Sequence, residues 1–390
     1  FTLVKMARQK RVAWRASLAV GAIVGLLIAG LVVNMFPVIA SQLPTSAPYS
    51  TLFLMVLFGA VLSGGLATLY VGLQAAAGEP LYGDLVRGRV RLSRLFTLSG
   101  LRTKEFFLST LIGYGMAALH IGAVVLFYVA ARRFGAWAPL EVNYDNALNT
   151  PLPWLYPMAA SVFASTSEEF GFRLFAIPLL YRWLKSRWAA ILIPAFVWGF
   201  LHSAYPQQPA WIRGVEVGLI GVLAGWVMLR FGILATLVWH YTVDAVLIGM
   251  FLLRSENLFY RISGALVGDA VLIPLLVGLV LYWQHRGFVE DEAILTRAAV
   301  EAPPVAAPVA APVGAAEEAP EAVFAPLDAR RRKIALGAGL AGLVLLSLVD
   351  VPQLGDFIRF RVGPAEAERA AVEHLRRSGV DVSLFRRVTV

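Results

Sequence analysis

The sequence predicts an all-α fold: a polytopic transmembrane helical bundle of about eight or nine spans, with a short soluble C-terminal tail. Three observations predict it. Apolar residues make up 58% of the 390 and charged residues only 15%, far from the balance of a soluble domain. Apolar runs of about 16 to 25 residues recur along the chain. At about 1.5 Å per residue, such a run crosses a hydrocarbon core of about 30 Å. Basic residues gather between those runs, where they set topology and meet anionic head groups.

Taken in order, the opening carries Lys5, Arg8, Lys10, Arg11 and Arg15, and span one runs from Ser17 to Phe36. A loop with Pro37, Pro44 and Pro48 leads to span two, Ser50 to Gln74. Arg87, Arg89, Arg91, Arg94, Arg102 and Lys104 then mark a segment expected to lie on an anionic leaflet. Span three covers Phe106 to Ala131, span four Trp154 to about Tyr181, and span five Trp188 to Tyr205. Spans six, seven and eight run from Val215 to Leu229, Ile233 to Leu253 and Ile262 to Trp283. An Ala/Pro-rich tract from Ala298 to Pro326 reads as an extended linker that builds no core. Arg330 to Lys333 then abut span nine, Ile334 to Val349. After Pro352 the tail holds one expected helix, Ala365 to Arg377, ended by Gly379 and followed by a strand-like run.

This divides the chain into N-terminal spans with their basic loop (1–152), a core carrying the chemistry (153–253), and span eight with its end (254–297). The linker with its basic cluster (298–333), the last span (334–351) and a soluble segment (352–390) follow. A start at Phe1 and a stop at Val390 read as a piece of a longer protein. With the N-terminus cytoplasmic, that side collects 21 Lys and Arg against 5 opposite, which sets the expected orientation. The expected setting is a bacterial cytoplasmic membrane.

The absence of cysteine excludes disulfides, thiol catalysis and Cys-ligated zinc. The formal charge of +9 invites a nucleic-acid reading, but contact with lipid accounts for it, and no nucleic-acid partner is expected. The expected partners are membrane lipids and a peptide or membrane-protein substrate.

One stretch stands out, Ser165 to Arg173, which places Glu168, Glu169 and Arg173 inside an apolar segment. Ionisable groups at membrane depth cost about 2.5 kcal/mol or more each, so a functional site is the default reading. On a helix Glu169 and Arg173 share a face and pair. Glu168 is turned about 100° away and is free for another partner. Two further pairs spaced four apart carry polar groups into spans, Trp198 with His202 and His240 with Asp244. Counted from the cytoplasmic ends of their spans, Glu168, His202 and His240 reach depths of about 20, 21 and 12 Å.

Glu168-Glu169-Phe-Gly-Phe-Arg173, then an aromatic-x-x-x-His, then His-x-x-x-Asp, resembles the three ordered motifs of the CAAX protease and bacteriocin-processing (CPBP, Abi) family. These are intramembrane endopeptidases that include type II CAAX prenyl proteases, and the likeness covers Pro153 to Leu253. The resemblance implies that Glu168 and His202 activate a water that attacks a peptide carbonyl. It implies that Glu169 and Arg173 form an ion pair bracing the helix, that His240 and Asp244 stabilise the oxyanion, and that no metal or other cofactor takes part.

The sequence departs from the family pattern twice. Trp198 stands for the usual phenylalanine, preserves an aromatic wall, and is expected to matter little. Asp244 stands where asparagine is common, and an ionised aspartate only accepts hydrogen bonds. Asp244 is therefore either held protonated by burial or, the favoured reading, orients a His240 that donates alone. A zinc site from Glu168, His202 and His240 has suitable ligand chemistry, yet no His-Glu-x-x-His occurs. Other readings of the same groups are a catalytically silent scaffold or immunity-type protein of this fold, or a transporter with a proton-relay carboxylate. His120 reads as a packed helix-face residue, and Arg213 with Glu216 as an interfacial pair.

Overall fold

The computed structural model describes residues 1–44, 46–86, 88–137, 145–289, 292–296, 328–348, 361–385 and 387–389. Among these, helices are the only regular elements, joined by two isolated bridges, Val90 with Leu295 and Trp137 with Gln208. A short helix α1 (Thr2–Arg8) precedes α2 (Trp14–Asn34), and α3 (Phe36–Ser41) leads into the long α4 (Tyr49–Leu85). Two single turns, α5 (Leu92–Leu95) and α6 (Leu98–Leu101), precede α7 (Lys104–Ala131), and a third, α8 (Asp145–Leu148), precedes α9 (Leu155–Glu168). A π-helical segment, Glu169–Ala176, continues α9 directly into α10 (Ile177–Leu184). Then come α11 (Arg187–Leu201), α12 (Trp211–Phe231), α13 (Ile233–Leu253), α14 (Leu258–His285), α15 (Ala329–Leu348) and α16 (Pro364–Arg377).

Among the described residues, six helices are long and apolar enough to cross a membrane: α2, α4, α7 with its 3-10 extension to Phe134, α12, α13 and α14. The chain is a multi-pass membrane protein. These helices match six of the nine expected spans. The other three differ for separate reasons. Span four changes helix type at Glu169, so no single long α-helix covers it. Span five is a helix of 15 residues, about 22 Å, which ends at His202 in a 3-10 turn. Span nine opens with Arg330 to Lys333 inside α15, which leaves a short apolar remainder. Span two is longer than expected, since α4 runs on to Leu85 with Ala75, Ala76 and Tyr82 buried against protein rather than lipid.

Burial separates a centre from a periphery. The apolar windows of α12 and α13 are 61% buried, those of α2, α4 and α14 only 28%, so the latter present side chains such as Phe53, Phe58 and Val61 to the surroundings. One core cluster joins Val71, Tyr82, Phe170, Leu174, Met228 and Ile233, and α4 packs directly on the π segment there. A second joins Met116, Trp198, Val217, Ala224, Trp239 and Val243, and it walls the polar site described below. Two glycines permit this packing. A Cβ on Gly199 would lie 2.4 Å from the Gly214 carbonyl oxygen and 2.5 Å from the Gly218 nitrogen, so α11 and α12 touch backbone to backbone. Gly232, at φ +90°, turns the chain between α12 and α13 in one residue.

The basic loop departs from its expected role. Arg89 is buried and donates to the Arg230 carbonyl, and Arg91 donates to the carbonyls of Ala293 and Leu295, both at 3.0 Å. Arg89 ties the loop to the end of α12 and Arg91 ties it to the segment after α14, instead of facing lipid; Arg94 is exposed as expected. The linker from Ala298 to Pro326 lies outside the described residues. In the tail the expected helix is α16, but the strand-like run is a 3-10 turn, Val382–Leu384, capped by Asp381. A lone strand with no neighbour leaves its backbone groups unpaired, and nothing among the described residues offers an edge.

Candidate active site

The α9–π–α10 rod supplies two adjacent carboxylates with opposite environments. Glu169 begins the π segment, is 0% exposed, and pairs with the 1% exposed Arg173 at 3.0 Å. Two charges without water require close partners. Arg173 also lies 3.9 Å over the Trp198 ring and 6.0 Å from that of Trp239. Glu168, the last residue of α9, keeps 28% of its side chain exposed. Its Oε2 accepts from the Trp198 indole Nε1 at 2.5 Å and stands 3.7 Å from His240 Nε2.

His240, from the buried α13, links the two carboxylates. Its Nδ1 lies 2.9 Å from Glu169 Oε1, the same oxygen that pairs with Arg173. A carboxylate held by arginine only accepts, so Nδ1 carries the proton and donates. Nε2 faces Glu168 at 3.7 Å and Asp244 Oδ2 at 3.5 Å. Glu169 thus holds Nδ1 by a hydrogen bond, and Asp244, one helical turn along α13, sets a partly exposed carboxylate beside Nε2.

His202 opens the 3-10 turn after α11. Its Nδ1 lies 2.8 Å from the Trp198 carbonyl oxygen, so Nδ1 donates and Nε2 is left as an acceptor. The ring stacks on Tyr205 at 5.6 Å and meets the Trp198 ring edge-on at 5.1 Å. Among the described residues no hydrogen bond or ion pair joins His202 to Glu168; Trp198 touches both. Trp198 therefore makes contacts beyond an aromatic wall. Its side chain binds one predicted site residue and its main chain another, and phenylalanine has no N–H to offer the first.

The structure thus brings Glu168, Glu169, Arg173, Trp198, His240 and Asp244 into one cluster, with His202 attached through Trp198. Sequence reasoning missed a second cluster beside it. The Trp239 indole donates to His120 Nδ1 at 3.2 Å, and His120 Nε2 stands 3.8 Å from Glu216 Oε1. Glu216, only 2% exposed, pairs with Arg213, whose guanidinium lies 5.6 Å from the Tyr205 ring. The carboxylate of this pair is buried and the arginine partly exposed. The one sequence signal was a carboxylate placed three residues after an arginine in an apolar helix. The partners of His120 lie about a hundred residues away on other helices, beyond any local pattern. Among the described residues, no group of three or more His, Asp or Glu side chains has the arrangement to hold a metal ion.

A partly exposed carboxylate, two imidazoles and a buried ion pair are thus gathered among the helices of a polytopic membrane protein. Residues 150–246 match the family model for type II CAAX prenyl endopeptidases, described as Rce1-like. That segment contains every residue of the first cluster, and over it the chain is similar to the type II CAAX prenyl endopeptidases. The sporulation-killing factor biosynthesis protein SkfC of Bacillus subtilis (strain 168) is 23% identical over 203 residues, 51% of this chain and 38% of that protein. The chain therefore spans well under half the length of the curated relative it matches. No solved structure matches.

Proposed function

We propose that the protein is an intramembrane endopeptidase that hydrolyses a peptide bond of a membrane-associated substrate with water activated by Glu168. The observation that carries this reading is the position of Glu168. Within the family-matched segment its carboxylate is partly exposed, yet it lies 3.7 Å from a buried imidazole. A carboxylate so placed accepts a proton from water as the water adds to the carbonyl, then returns it to the leaving amine. His202, with Nδ1 committed to the Trp198 carbonyl, offers Nε2 as a second acceptor for that water. His240, oriented by Glu169, donates from Nε2 to the developing oxyanion when its ring carries a second proton. Such preorganised donors are often the largest catalytic term. The Glu169–Arg173 pair holds this geometry and takes no part in proton transfer.

No step in this scheme calls for a metal ion. The charge bias of the loops and the bacterial relative support a bacterial cytoplasmic membrane with the N-terminus inside.

The test is Glu168→Gln in proteoliposomes with a reporter whose cleavable segment sits at the bilayer surface. Cleavage should fall by about 100- to 10,000-fold, the usual range for a general acid–base group, with unchanged thermal unfolding in detergent. Cleavage at the wild-type rate would overturn the assignment, and a biological role that survives Glu168→Gln intact would favour a silent scaffold. A chelator should leave the rate unchanged; loss with chelator and recovery with zinc would replace the metal-free scheme.

A further inference from the structure

Trp198 occupies a place that packing alone does not explain. The residue is 4% exposed, and its ring is held on several sides: the Arg173 guanidinium over one face at 3.9 Å, the Trp239 ring at 6.4 Å, and the His240 ring at 5.8 Å. The indole thus has no freedom to turn its N–H elsewhere, and the N–H meets Glu168 Oε2 at 2.5 Å. Glu168 is otherwise a side chain with three rotatable bonds and two equivalent oxygens, at the partly exposed edge of the cluster. Cations attract the negative face of an aromatic ring, so Arg173 draws electron density from the indole and strengthens its N–H as a donor.

We propose that Trp198 is a positioning residue for Glu168, engaging Oε2 through its indole N–H so that Oε1 alone is presented to the attacking water. The same residue anchors His202 through its main-chain carbonyl, so one helical position aligns both groups of the water-activating pair. This rests on the reading of Glu168 as the base. The other charged or titratable groups about Glu168 are Glu169 and Arg173 on its own rod, His240 and Asp244 on α13, and His202 and Tyr205 beyond α11.

The experiment replaces Trp198 with benzothienylalanine, which keeps the bicyclic shape and lacks the N–H, alongside Trp198→Phe. Both should lower kcat by about 10- to 100-fold with little change in KM, the range for a hydrogen bond to a charged group. Wild-type kcat in the benzothienylalanine protein would show that only shape matters and would overturn the proposal. A readout independent of turnover is the 15N-indole resonance of Trp198. It should lie at a strongly hydrogen-bonded shift in the wild type and move toward the free-indole position in Glu168→Ala. A free-indole shift in the wild type overturns the proposal even if every Trp198 variant misfolds. Cleavage that survives Glu168→Gln would sink the reading of Glu168 as the base while leaving this resonance test intact, so the two failures are told apart.

Discussion

Two acid–arginine pairs lie side by side in this protein and have different surroundings. Glu169 and Arg173 are spaced four apart on the π segment, both sealed from water, and each has a second partner: His240 for the carboxylate, the Trp198 ring for the guanidinium. Arg213 and Glu216 are spaced three apart on α12, and only the carboxylate is sealed; the arginine reaches past Tyr205 toward the outside. Each pair adjoins a histidine that in turn touches a tryptophan. The difference shows how a membrane protein can use the same charges for two purposes. A pair closed at both ends serves as a rigid reference for neighbouring groups, because moving either member leaves a bare charge in a low-dielectric interior. A pair open at one end retains solvent as an alternative partner and holds helices together without fixing a reacting group.

The largest effect is expected from opening the closed pair. Arg173→Leu leaves Glu169 with His240 alone and should cost about 3–5 kcal/mol of stability, read from thermal or denaturant unfolding in detergent. The double substitution Glu169→Leu with Arg173→Leu should recover much of that loss while leaving activity low, since His240 then lacks its Nδ1 acceptor. A double variant with wild-type turnover would show that the pair orients nothing.

The next effect comes from prising apart the helices that carry the two clusters. Gly199→Ala puts a methyl against backbone of Gly214 and Gly218 and should cost about 1–3 kcal/mol, with activity falling further because Trp198 and His202 sit on either side of it. Opening the second pair should do less. Glu216→Gln keeps the shape and should cost about 1–3 kcal/mol for the altered hydrogen bonding, with kcat within about threefold of wild type. A loss of turnover as large as that of Glu168→Gln would move His120 and Glu216 into the reacting set. The smallest change is expected for Asp244→Asn. With Glu169 orienting His240, cleavage should stay within about fivefold of wild type, a difference of about 1 kcal/mol. A collapse of activity would restore Asp244 as the residue that orients the ring.

Much of this protein was legible along the chain. Hydrophobic runs long enough for a bilayer announce themselves residue by residue, because lipid requires each span to satisfy its own backbone and bury no lone charge. For the same reason Glu168, Glu169, Arg173, His202, His240 and Asp244 could be singled out as polar groups in apolar surroundings, and the i, i+4 contact between Glu169 and Arg173 follows from local spacing alone. What the chain did not reveal was which neighbour each group would take. The indole bond from Trp198 to Glu168, the contact of Glu169 with His240, and the burial of Glu216 against His120 all join residues far apart in sequence. Those partnerships depend on how α7, α9, α11, α12 and α13 pack. The packing is set by backbone contacts such as Gly199 on Gly214, and by the need of each buried charge for a partner within a few ångströms, which only the assembled bundle provides.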